Sequence, residues 1–103
     1  MRIVWTKFAI KDLDNAYDYI AAINLSAALD IIERIEKAVA ALRLTPGIGS
    51  PGRGSGTREL VMTRTPFTVP YRIIEERIEI LAVIHSAKRW PAEYGRQEIS
   101  PEI

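Results

Sequence analysis

The 103 residues leave room for one hydrophobic core and no second one. At 48% hydrophobic and 26% charged the composition is that of an ordinary globular protein, which excludes a fibrous repeat or a disordered chain, and 14 Lys plus Arg against 13 Asp plus Glu leave a net charge of +1, too little to wrap nucleic acid by bulk electrostatics. The absence of cysteine and the single histidine rule out a disulfide framework and a zinc centre.

No metal or other cofactor is therefore expected. The first residues, MRIVWTKF, lack the apolar core of a secretory signal, and no run approaches the ~18 apolar residues that span a bilayer, so a cytoplasmic protein without a membrane partner is expected. Arg2 to Thr6 alternates, with Ile3 and Trp5 on one side, and predicts a short first strand suited to a sheet edge. Leu13, Ala16, Tyr17 and Ile20 then fall at i, i+3, i+4 and i+7, the spacing of a half-buried helix over 7–23. Asn24 or Ser26 caps a second helix whose buried stripe is Ala28, Ile31, Ile32, Ile35, Val39 and Leu42, stopped by Thr45-Pro46-Gly47. So short a link predicts an antiparallel helical hairpin.

The segment 45–56 reads as an extended, mobile loop, because Gly49, Gly52, Gly54 and Gly56 follow Gly47 and leave the backbone little stiffness; Arg53 and Arg58 are then expected to be free for an acidic partner. Residues 57–62, 67–74 and 78–84 predict a three-strand antiparallel meander, turning at Thr65-Pro66 and at Glu75-Glu76-Arg77. The fold class is thus α+β: a strand, a two-helix hairpin and the meander. A single domain over 1–91 is followed by a short polar tail over 92–103, expected to be loosely held.

Side-chain period assigns the faces. Phe67, Val69, Tyr71 and Ile73 form the apolar side of the middle strand, and even-length turns, for instance two residues at Glu76-Arg77, place Leu60, Met62, Ile80, Ala82 and Ile84 beside them under the helices. The same parity sends Glu59, Thr68, Arg72, Glu79 and His85 to the opposite, open face, with Val61, Leu81 and Val83. Arg72 with Glu59 or Glu79 reads equally as a cross-strand ion pair that keeps this face soluble, and His85 as a half-exposed side chain bonded to backbone. Lys88 and Arg89 read as surface charge, and Trp90 as a seal on the core edge. No phosphate loop, dinucleotide fingerprint or serine triad is present.

Three segments in sequence, GTREL at 56–60, PYRI at 70–73 and ILAVIHSAKRWP at 80–91, resemble the RelE/ParE superfamily of toxins from bacterial type II toxin–antitoxin systems, and the likeness covers about residues 3 to 91. The resemblance implies a RelE/ParE-like fold and a small cytoplasmic toxin, neutralised by a cognate antitoxin whose partly disordered segment wraps it. RelE-like members cut messenger RNA on the ribosome with a cluster of basic residues; this chain has Glu59 and Val61 where lysines are expected and Thr68 where an arginine commonly stands. What that reading retains is Arg89, with Tyr94 near a late tyrosine and Glu59, Arg72 and His85 as a substitute acid–base set. ParE-like members poison DNA gyrase by binding, without a hydrolysis of their own, and the near-neutral charge and Ile84-His85 followed by Arg89 favour that branch. Target or antitoxin binding is then expected at Arg58, Arg72, His85, Lys88, Arg89 and Trp90, with no metal site.

Overall fold

A computed structural model describes residues 1–85. In chain order the elements are β1 (Arg2–Trp5), α1 (Lys7–Ala21), α2 (Leu25–Ala41), β2 (Ser50–Pro51), β3 (Arg58–Val61), β4 (Phe67–Ile74), β5 (Arg77–Ile80) and β6 (Ile84–His85). The sheet runs β1-β5-β4-β3-β2, with β6 also paired to β4. All pairs are antiparallel except β1 with β5, so the first strand enters beside the last hairpin and lies at the sheet edge, as its brevity suggested.

Both helices start on side-chain caps. Thr6 Oγ1 accepts from the Ala9 amide at 3.2 Å and donates to the Ile80 carbonyl at 2.8 Å, which ties the start of α1 to β5 as well as satisfying one of its unpaired donors. Asn24 Oδ1 accepts from the Ala27 amide at 3.0 Å and starts α2. The hairpin lies on one sheet face. Ala9 from α1 and Ile35, Val39 and Leu42 from α2 join Phe67, Val69, Tyr71, Ile78, Ile80 and Val83 in one core, with Leu13, Ala16, Ile20, Ile31 and Ile32 half-buried around it. Each fully buried aliphatic side chain contributes about 1.5–3 kcal/mol relative to exposure, which is why helices of modest propensity hold. Among the described residues, no helix is long and apolar enough to cross a membrane.

Register follows the predicted parity through most of the sheet. Leu60 opposes Val69, Tyr71 opposes Ile80 and Arg72 opposes Glu79. The second turn is Glu75-Glu76 rather than Glu76-Arg77, a move of one residue that changes the register by two and so leaves the faces unchanged. Both turn residues have left-handed backbones, φ 50° and 63°, which cost a non-glycine residue about 1–2 kcal/mol each. Glu76→Gly is therefore expected to stabilise the fold by up to ~1 kcal/mol, the relief of strain exceeding the added chain entropy, as read by urea denaturation.

Two expectations need correction. The strand predicted over 78–84 is broken: Tyr71 pairs with Ile80 but Thr68 with Ile84 and Phe67 with His85, so one extra residue intervenes after Leu81, whose amide still bonds Pro70 O at 2.9 Å. Such a bulge reverses the side-chain alternation beyond it. Ile84 is thereby aligned with Thr68 rather than with the apolar set and Val83 joins the core at 5% exposure, while Leu81, ahead of the bulge, is also buried at 2%, so neither stands on an open rim. The segment 45–56 is likewise not a free loop. It contains β2 on the edge of β3, and the buried Tyr71 hydroxyl holds it by donating to Pro46 O at 2.7 Å and accepting from Gly49 N at 2.9 Å. A Cβ on Gly49 would stand 2.7 Å from that hydroxyl and 2.9 Å from Glu59 O, so the close approach requires glycine.

Candidate functional site

Two surfaces carry the polar chemistry: the sheet face away from the helices and a groove beside β1.

On the face away from the helices, expected to be open but buried at Thr68, Glu79 and Ile84, the register brings Arg72 of β4 opposite Glu79 of β5, and period two places Arg77 beside Glu79 on the same strand. Glu79 is fully buried. Its Oε1 accepts from Arg72 Nε at 2.6 Å and its Oε2 from Arg77 Nε at 2.8 Å, so one carboxylate holds two guanidinium groups. A buried charge of this kind is tolerated because both oxygens are paired and bonded. Arg77 also gives Nη1 to Glu75 at 3.0 Å, and the bonds to Glu75 first and Glu79 second raise its pKa above the ordinary guanidinium value. The Arg72–Glu79 ion pair is one of the two pairings that the sequence offered; the part of Arg77, there read as a turn residue, was missed. Its signal was the alternation of Arg77 with Glu79, legible only once the turn is fixed at Glu75-Glu76.

Glu59 shares this face, opposite Pro70, and its carboxylate accepts from the Arg53 amide at 2.9 Å, with Arg53 Nε at 3.7 Å. Arg58 is directed to the helix side and donates from Nη1 to Gly49 O at 2.8 Å and Gly47 O at 3.2 Å. Neither arginine stands free for an acidic partner: both serve the 45–56 segment. His85 is the main departure. Beyond the bulge it pairs with Phe67, packs edge-on against that ring with centroids 5.3 Å apart, and so lies on the side of the sheet away from Arg72 and Glu79. The sheet therefore separates His85 from Glu59 and Arg72, which share the other face. Among the described residues, the arginine paired with a buried carboxylate and the imidazole across the sheet do not form one acid–base cluster. The predicted Lys88, Arg89 and Trp90, and the tail over 92–103, lie outside the described residues. Among the described residues no cluster of three or more His, Cys, Asp or Glu could hold a metal.

The second surface is a groove of about 1280 Å³ between β1 and the helices, where Ile3 and Trp5 meet Ile10 and Leu13 of α1 and Val39 and Ala40 of α2. Its charged lining is Arg2, Arg43 and Arg77 against Glu36. Among the described residues β1 pairs only with β5, which leaves its outer backbone edge open alongside the groove. The space exceeds the roughly 300–1,000 Å³ of small-molecule pockets and suits a length of polypeptide. Of the apolar rim expected around Ile3, Trp5, Leu81 and Val83, only the first two line it. Arg2 and Arg43 were not singled out from sequence, because their convergence depends on β1 being an edge that the helices overhang.

The comparisons with known proteins agree with one another. The family model for the ParE toxin of the type II toxin-antitoxin system, parDE, matches residues 3–90. A protein of Sinorhizobium fredii (strain NBRC 101917 / NGR234) described as "Putative toxin Y4kP" is 43% identical over 90 residues, 87% of this chain and 93% of that one. Among solved structures, the chromosomal ParDE TA system from P. aeruginosa is similar at a TM-score of 0.74 and 34% identity, over 82% of this chain and 95% of that one. The α+β architecture, the order of its elements and these three similarities thus have a single explanation, that this chain belongs to the ParE family of type II toxins.

Proposed function

We propose that the chain poisons DNA gyrase by binding it, in the ParE-like manner, and that a cognate antitoxin neutralises the toxin by laying an amphipathic segment into the groove beside β1. The observation that supports the first part is the placement of His85 on the opposite side of the sheet from Glu59 and Arg72. With Arg72 locked on Glu79 and His85 across the sheet, the described residues offer no assembled acid–base set for RNA cleavage. A net charge of +1 fits a protein-directed toxin better than one that grips RNA. The groove supports the second part, since an open strand edge beside an apolar cleft is the usual receptor for an added polypeptide segment.

The test uses purified components. Added to gyrase and relaxed plasmid, the protein is expected to inhibit supercoiling and accumulate cleaved DNA, and the product of the adjoining open reading frame is expected to reverse both effects. His85→Ala should keep most of this activity, since the ring packs on Phe67, across the sheet from Glu59 and Arg72. Unimpeded supercoiling at a large excess of toxin would remove gyrase as the target.

A further inference from the structure

We propose that Arg77 is the specificity anchor of the β1 groove, held in this conformation by Glu75 and handed over to a carboxylate of the bound segment, so that the groove selects an apolar segment bearing acidic residues. The proposal rests on the antitoxin reading above and deepens it by naming the chemistry of the partner. Arg77 belongs to both surfaces: it lines the groove and it is bonded to the buried Glu79. Its two carboxylates are unequal. Glu79 is fully buried and fixes the guanidinium through Nε, whereas the Glu75 side chain is 76% exposed and meets Nη1 at 3.0 Å. Water and salt screen an exposed pair of that kind, so an incoming carboxylate can displace Glu75 at little cost while Glu79 keeps the fork aimed. The surroundings favour the exchange. Arg2 is the register neighbour of Arg77 and Arg43 also lines the groove; with Arg77 already paired to Glu79 and Glu75, the cationic excess over Glu36 comes from Arg2 and Arg43. Like charges on adjacent strands repel, and an acidic segment relieves that repulsion, whereas a basic one or a second copy of this cationic groove increases it.

The test is a calorimetric titration of the full chain with the protein encoded by the adjoining open reading frame, at low and high salt. Glu75→Gln should tighten binding a few-fold, and the gain should vanish in an Arg77→Gln background. Arg77→Gln should weaken binding tenfold or more. Because that variant also removes a partner of Glu79, the doubly substituted Arg2→Gln/Arg43→Gln, outside the Glu79 network, supplies a second reading: it should lose about tenfold and much of the salt dependence while melting like the parent. Wild-type affinity in the Arg2→Gln/Arg43→Gln variant, or weaker binding by Glu75→Gln, overturns the proposal and leaves antitoxin neutralisation standing. Failure of the unsubstituted toxin to bind that product at all overturns both.

Discussion

Glu79→Ala is expected to destabilise the protein by about 3 kcal/mol, lowering the melting temperature by roughly 10–20 °C. The carboxylate is fully buried, and its two partners are themselves largely covered, at 13% and 24% side-chain exposure, so its removal leaves two guanidinium groups poorly solvated and facing each other across β4 and β5. The cost is placed at the low end of the range for broken buried pairs because Arg77 can still turn to Glu75 and to water. Glu79→Gln keeps the shape and one acceptor and should cost about half as much. Thermal melts of the three proteins check the order. A near-silent Glu79→Ala would show that the two arginines find other partners and that the network contributes little to holding β5 in register.

Tyr71→Phe should cost about 2–3 kcal/mol, although it removes a single oxygen. That oxygen is buried and serves two backbone groups, the Pro46 carbonyl and the Gly49 amide, which become orphans in the variant. The loss should be local as well as global. Amide exchange is expected to accelerate through 46–52 before any other part of the sheet, because the segment is fastened to β4 by this hydroxyl and to β3 by Arg58. Equal protection in Tyr71→Phe and parent would mean that β2 pairing alone holds the segment.

These two sites mark what the sequence could and could not disclose. The helices were legible because the spacing of Leu13, Ala16 and Ile20, and of Ala28, Ile35, Val39 and Leu42, allows no other element, and Asn24 is a strong cap. Strand β4 was legible to the residue, and the shared face of Glu59, Arg72 and Glu79 followed from the even-length turns. His85 was misplaced for a definite reason. The run ILAVI before it is apolar at every position, so alternation gives no parity and the extra residue after Leu81 has no glycine or polar residue to announce it. The 45–56 segment was misjudged because its glycines were counted as freedom, when one of them, Gly49, makes room for the Tyr71 hydroxyl. The groove was only half legible: Ile3 and Trp5 were read as an apolar rim, but its cationic lining arises from residues distant in sequence that meet only in the folded chain.

The proposed poisoning of gyrase without cleavage of RNA is open to one paired measurement in induced cells: gyrase-dependent DNA breaks and message 5′ ends scored in the same culture, for the parent, His85→Ala and Arg89→Ala. The parent is expected to accumulate DNA breaks that disappear when the adjoining open reading frame is co-expressed, His85→Ala to retain most of them, and message ends to match those of uninduced cells. Codon-positioned message cuts that vanish in His85→Ala or Arg89→Ala, with no excess of DNA breaks, would contradict it and identify the chain as a ribosome-dependent ribonuclease.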